Sequence, residues 1–173
     1  MHFLITGHTG FKGAWLSLIL RQQGHLVSGI SLKPEVGSLF ERAEIGKLLE
    51  KDIRCDIRES AKLSGHFKEV NPDVVIHLAA QALVRESYKN PTDTFETNVN
   101  GTINVLKASQ QISDLKAQLI ITTDKVYKNM SKTTGYLETD ALGGQDPYSA
   151  SKAMADIAAQ SWISSFKNPP TAI

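Results

Sequence analysis

Three glycines, Gly7, Gly10 and Gly13, limit what this chain can become more than any other feature. They are entered from the apolar Phe3-Leu4-Ile5 and followed by an apolar periodic run over 14–20. The order reads as strand, tight turn, helix. Such a turn suits anion binding, because glycines let the backbone approach a phosphate while the next helix points unpaired N–H groups at it. A pyrophosphate is the natural guest. The spacing is GxxGxxG rather than GxGxxG, and it fails the P-loop pattern because Lys12 is followed by Gly13 and not by Ser or Thr. That argues against nucleoside triphosphate hydrolysis. A strand-to-helix turn without a ligand would carry the same local pattern, so its meaning depends on the rest of the chain.

Up to residue 123, short apolar runs alternate with longer amphipathic ones. Strands are expected at 2–6, 26–31, 52–56, 73–78 and 117–123, and helical stretches at 11–23, 38–50, 59–70 and 93–111. Gly24 ends the first helix and Pro72 precedes a buried strand. Repeated βαβ units of this kind predict an α/β fold, a doubly wound parallel sheet of Rossmann-like type covered on both faces. Ligands in such sheets bind at the carboxyl ends of the strands, where the Gly7–Gly13 turn belongs. The 173 residues, 41% hydrophobic and 21% charged, suffice for one domain with a core.

Composition removes several other classes. A net charge of +1 and no Lys/Arg-rich block argue against a nucleic-acid partner. The lone Cys55 and the scattered histidines form no metal-binding spacing, so no metal is expected. No apolar run approaches the roughly 20 residues that span a bilayer, and no signal-peptide pattern opens the chain. No membrane partner and a cytoplasmic setting are expected.

The end of the second strand normally selects the cofactor, an acid for the ribose hydroxyls of NAD or a base for the extra phosphate of NADP. Here it reads Ser31, Leu32, Lys33. Ser31 could hold a ribose hydroxyl; Lys33 could meet a phosphate or be a solvated loop lysine. Asp56 could accept from an adenine amino group or be an acid near the start of the next helix. The aperiodic segment 128–146 is long for a connection, which marks it as a candidate substrate-side lid.

Tyr148 and Lys152, four residues apart on an expected helix over 147–166, are neighbours on one face. A tyrosine is a poor base near neutrality, and an ammonium beside it favours its phenolate. A tyrosine so tuned can exchange a proton with a substrate hydroxyl while hydride moves to or from a nicotinamide. Without the glycine turn in the same pattern, the pair would read as an exposed helical pair with no role.

The glycine spacing, HLAA at 77–80, TNVNGT at 97–102 and Tyr148-x-x-x-Lys152 together resemble the extended short-chain dehydrogenase/reductase family. Longer words, TGHTGFKGAWL at 6–16, HLAAQALVR at 77–85, TDKVYKN at 123–129 and LGGQDPYSASK at 142–152, are similar to the CDP-glucose 4,6-dehydratases within it. Departures are mild: Ala14 stands where Ser is expected, and Ala82 and Ala141 stand where Pro is expected.

The resemblance implies a lyase of deoxysugar biosynthesis with a resident NAD and a nucleotide-sugar substrate, CDP-glucose. Tyr148 would take the proton of the sugar 4-hydroxyl, Lys152 would hold the ribose and tune Tyr148, and Thr123 would bind the 4-oxygen. Asp124 would be the acid for the departing 6-hydroxyl. Lys125 would be the base for the C5 proton, which requires burial or the nearby Lys152 to keep it neutral. For the cofactor, the glycine turn Gly7, Gly10 and Gly13 with Thr9, Phe11 and Lys12 would cradle the pyrophosphate. Ser31 would meet a ribose, Asp56 and Ile57 would flank the adenine, Leu78, Ala79 and Ala80 would line the ribose side, and Thr97 would sit beneath. His77 reads as a strand residue, and Asn98 as a helix-packing residue or a support for the strand ends.

Extended members continue past the Tyr-Lys helix with further strands and a smaller sugar-nucleotide domain. Residues 1–173 are therefore expected to be an incomplete NAD-binding domain lacking that C-terminal domain, binding NAD weakly and turning CDP-glucose over poorly or not at all. Pro169-Pro170 would end the helix and Thr171-Ala172-Ile173 would begin a sixth strand that never develops, leaving 117–123 an exposed edge. The family also implies a homodimer through the helices at 93–111 and 147–166. Two other readings stay open: another extended member such as a nucleotide-sugar epimerase, and a non-catalytic nucleotide-binding or assembly module.

Overall fold

The strands β1 (His2–Thr6), β2 (Leu26–Ser31), β3 (Lys51–Arg54), β4 (Val74–His77), β5 (Ala117–Ile120) and β6 (Thr171–Ala172) form one parallel sheet in the order β3-β2-β1-β4-β5-β6. The structure, a computed structural model, describes residues 1–166 and 171–173. That order is the doubly wound one, with β2 and β3 added on one side of β1 and β4, β5 and β6 on the other. Thr6 pairs with Ile30 on one side and His77 on the other, so the last residues of β1 and β4 end level.

Successive residues of a strand point to opposite faces, and a strand covered on both has no polar side. Leu4 and Ile5 are both fully buried for this reason. Leu4, Ile30 and Val75 pack against α3 (Ser60–Val70) and α6 (Gly101–Gln110) through Leu63, Phe67, Val105 and Ala108. Ile5, Val27 and Ile76 face α1 (Phe11–Gln22) through Leu20. Helix α7 (Pro147–Ser165) presents Ala159 to Leu106 and Ile120, joining its small-residue face to α6 and β5.

Several connections differ from expectation. The stretch 38–50 splits into α2 (Leu39–Arg42) and a 3-10 turn, Ile45–Leu48, because Glu44 takes a left-handed conformation between them. Helix α4 (Val84–Lys89) was not expected from periodicity. The helix expected at 93–111 begins earlier, as α5 (Pro91–Phe95), where a proline in the first turn sacrifices no internal hydrogen bond. It widens into one π-helical stretch, Glu96–Asn100, before continuing as α6.

The expected exposed edge needs correction. β6 pairs Thr171 with Gln118 and Ala172 with Leu119, so β5 is a covered strand along those two residues and Ile120 is fully buried. Pro169 and Pro170, expected to stop α7, lie outside the described residues.

Candidate active site

The glycine turn is built by close backbone approach. Gly7 donates its N–H to Ile30 O at 2.8 Å and takes φ +78°, a conformation that side chains disfavour. A Cβ at Gly7 would stand 2.7 Å from the Ala79 nitrogen, and one at Gly13 would stand 2.3 Å from Gly7 O. Both approaches require glycine. Helix α1 begins at Gly10 with no side-chain cap and no acid in its first turn, so its leading N–H groups are left for an anion.

That turn forms one wall of a cleft of about 860 Å3 at the carboxyl end of the sheet. Into the same cleft the fold brings Thr9, Phe11, Lys12, Ser31, Asp56, Ile57, Leu78, Ala79, Ala80, Thr97, Tyr148 and Lys152. Segments spread over more than 140 residues of chain thus meet because each follows a parallel strand. At one end, Thr9 Oγ1 and Ser31 Oγ share a hydrogen bond of 2.7 Å. Asp56 lies two residues past β3; Arg58 donates to it from Nε, NH2 and its backbone N–H. Those bonds hold the Asp56 carboxyl below the usual carboxylate range. Arg58 also reaches Asp93 at 2.6 Å, joining the β3 exit to α5.

At the other end stands α7. Asp146 caps it, accepting from Ser149 N at 3.0 Å and Ser149 Oγ at 2.6 Å. Tyr148 donates its backbone N–H to Ser87 Oγ in α4. Lys152 is 4% exposed, and its ammonium donates to Ile121 O at 2.9 Å. Burial lowers its pKa to about 8; Asp156 works against the shift and Lys12 with it. Beneath the cleft, burial and then the Lys152 charge hold His77 neutral, with a pKa of about 3.

Thr123, Asp124 and Lys125 do not line this cleft. Thr123 caps a 3-10 turn, Asp124–Val126, accepting from Lys125 N at 3.4 Å and donating to Asp124 Oδ1 at 3.1 Å. Thr123 and Asp124 border a second hollow of about 450 Å3, which shares Thr122 with the large cleft. Lys125 is exposed and borders neither, so it lacks the burial that the base role called for. The segment 128–146 folds back on itself: Tyr127 bridges Leu142, and Tyr127 stacks on Tyr136 at 5.2 Å. It borders the second hollow through Glu138 and Leu142 and covers no part of the large cleft.

Sequence reasoning missed Arg58, Gln81 and the segment that leads from β2 into α2, whose Glu35, Ser38 and Leu39 also line the cleft. The Asp-x-Arg spacing at 56–58 was the available signal for the first. His8, in the glycine turn, points away from the cleft into a buried site, meeting Asp52 at 2.7 Å and the edge of Phe40. Among the described residues no three His, Cys, Asp or Glu side chains gather as a metal site, and no helix is long and apolar enough to cross a membrane.

Residues 4–172 match the family model described as GDP-mannose 4,6 dehydratase. The chain is 46% identical over 166 residues to the CDP-glucose 4,6-dehydratase of Salmonella typhimurium, covering 95% of this chain and 46% of that protein. Among solved structures it resembles a UDP-glucose 4-epimerase of Thermus thermophilus in complex with NAD. That match has 27% identity and a TM-score of 0.84, over 96% of this chain and 52% of the other. A dTDP-glucose 4,6-dehydratase of Bacillus anthracis in complex with NAD matches at 25% identity and a TM-score of 0.82, over 98% and 53%. The chain spans about half the length of the curated relatives it matches.

Proposed function

From a chain that belongs to the GDP-mannose 4,6 dehydratase family, within the extended short-chain dehydrogenase/reductases, we propose the NAD-binding part of a nucleotide-sugar 4,6-dehydratase acting on CDP-glucose. The observation that carries this reading is the single cleft joining an uncapped glycine turn to Tyr148 and Lys152. The tight turn that Gly13 permits by packing against the Gly7 and His8 backbone, and the free N–H groups of α1 that it presents, fit a pyrophosphate. NAD bound there supplies the hydride acceptor and donor of an internal redox reaction.

The chain's own residues handle protons and position. Tyr148 receives the proton of the sugar 4-hydroxyl as that carbon is oxidised, and Lys152, lining the same cleft, holds the ribose. Thr123 borders the second hollow and not the cleft of Tyr148, so its proposed hydrogen bond to the 4-oxygen requires a sugar that reaches past Thr122, which the two share. With a carbonyl at C4, the C5 proton is acidified; Lys125 removes it, and Asp124 protonates the 6-hydroxyl, which leaves as water. The base role is the one the geometry supports least, since Lys125 is exposed in this chain. That same exposure favours the second reading, a nucleotide-sugar epimerase, which needs no base at C5.

Residues 1–173 form the NAD-binding domain in this proposal. We place the protein in the cytoplasm as a homodimer through the helix at 91–110 and α7, whose Met154 and Ile157 are exposed. Calorimetry with NAD, NADP and CDP tests the core of the reading: NAD should bind, weakly, and Gly13→Ala should abolish it. A chain that binds none of the three is an assembly module instead. Assays with CDP-glucose and UDP-glucose separate dehydration from epimerisation, with little turnover expected from this chain alone.

A further inference from the structure

Below the cleft lies a chain of buried hydrogen bonds that the proposed chemistry does not use. Thr6, His77 and Thr102 are each at most 1% exposed. His77 Nδ1 lies 2.6 Å from Thr6 Oγ1, and its Nε2 lies 3.0 Å from Thr102 Oγ1. Counting donors fixes every proton. Thr102 Oγ1 is 2.7 Å from Asn98 O, and a carbonyl cannot donate, so the Thr102 proton is committed there. Thr102 Oγ1 can then only accept from His77, which puts the imidazole proton on Nε2. In a neutral ring Nδ1 is bare, so Thr6 gives it its hydroxyl proton, and Thr6 Oγ1 is left to accept from Ala79 N at 3.4 Å. The buried Lys152 ammonium nearby opposes a second proton on the ring.

The far end of this relay is Asn98, in the π-helical stretch. Its side chain accepts from Gln81 N at 2.8 Å and donates to Gln81 O at 3.0 Å and to Ser151 Oγ at 2.9 Å. Ser151 Oγ in turn donates to Tyr148 O. The β4 exit loop is thus held at Ala79 from one side and at Gln81 from the other, and both holds converge on one residue that also touches α7.

We infer that His77 is a positioning residue, a neutral imidazole locked as the Nε2–H tautomer that fixes the β4 exit loop against the widened helix and so sets its distance from Tyr148. Its effect on cofactor affinity rests on the reading that this loop lines the NAD site; the tautomer and the loop restraint do not.

The test is nitrogen-15 NMR of the whole chain. At neutral pH the His77 ring should show a protonated Nε2 and a bare Nδ1; an Nδ1–H tautomer or an imidazolium overturns the inference without any variant. Thr6→Val and Thr102→Val should each speed amide exchange at Ala79 about tenfold, the loss expected of one buried hydrogen bond. Ser109→Ala, which removes a buried α6 hydroxyl with no partner among the described residues, should leave exchange unchanged. His77→Gln, which keeps a donor near the Nε2 position, should fall between wild type and Thr102→Val, and it serves if a valine variant fails to fold. Unchanged exchange at Ala79 in all of the relay variants overturns the loop restraint. Where wild type binds NAD, the variants should bind about tenfold more weakly. Wild type that does not bind NAD, with the exchange result intact, overturns the cofactor reading and supports the relay.

Discussion

Lys152 shows how one side chain is set by its surroundings. Its folded pKa, about 8, lies below the ordinary lysine value of 10.5. Below pH 8 the lysine is charged in both folded and unfolded states, and burying that charge costs on the order of 3 kcal/mol. Between about pH 8 and 10.5 the unfolded chain holds more protons, so stability rises with pH and the cost is relieved. Lys152→Met should therefore gain stability at pH 7, by up to about 3 kcal/mol, and lose most of that advantage by pH 10.5. Urea denaturation at both pH values checks this, and an advantage that does not vary with pH would disprove it. The same variant removes from the cleft the ammonium that the proposed reaction uses, a trade of stability against function.

At the scale of elements, α7 matters most, because it carries both Tyr148 and Lys152 and starts at a specific cap. Asp146→Ala should cost about 1 kcal/mol, the usual loss for an N-cap acid, and fray the turn that holds Tyr148. Although burial works to raise it, the Asp146 carboxyl is held below the usual range by the Ser149 hydroxyl and N–H and by the charge of Lys125. A depressed carboxylate stabilises above its unfolded pKa, and that contribution is lost as pH falls through the lower folded value. The difference between wild type and Asp146→Ala should thus be full at pH 7 and vanish in strong acid, as followed by far-UV circular dichroism. The signal for this cap went unread, although Asp-Pro-Tyr-Ser was legible in the sequence. The widening at Glu96–Asn100 was not, because nothing in the local period of 91–110 marks where the helix yields to the bonds made by Asn98.

At the scale of the whole molecule, the exposed face of α7 bears on association. Met154 and Ile157 stay exposed on α7, one turn apart, on the helix that the family resemblance assigns to a dimer. Ile157→Glu should move sedimentation from dimer to monomer while changing the melting temperature little; a wild-type monomer at high concentration would defeat the proposal. The edge of the sheet offers a weaker alternative, since β6 already covers Gln118 and Leu119 of β5.

The sequence by itself determined the alternation of strands and helices, the doubly wound parallel sheet, the glycine turn and the placing of Tyr148 beside Lys152. All of these follow from short-range periodicity, from residues without a Cβ and from four-residue helical spacing. Only the tertiary structure decided which candidates share a wall. The exits of β1, β2, β3 and β4 with α7 form one cleft, while Thr123 and Asp124 turn to another hollow and Lys125 remains in solvent. Nor could the sequence decide that Arg58 reaches Asp93, that β6 covers part of β5, or that the Lys152 charge lies close enough in a dry interior to disfavour a proton on His77. The physical reason is that burial and charge coupling are sums over neighbours far apart in the chain, which no local window contains.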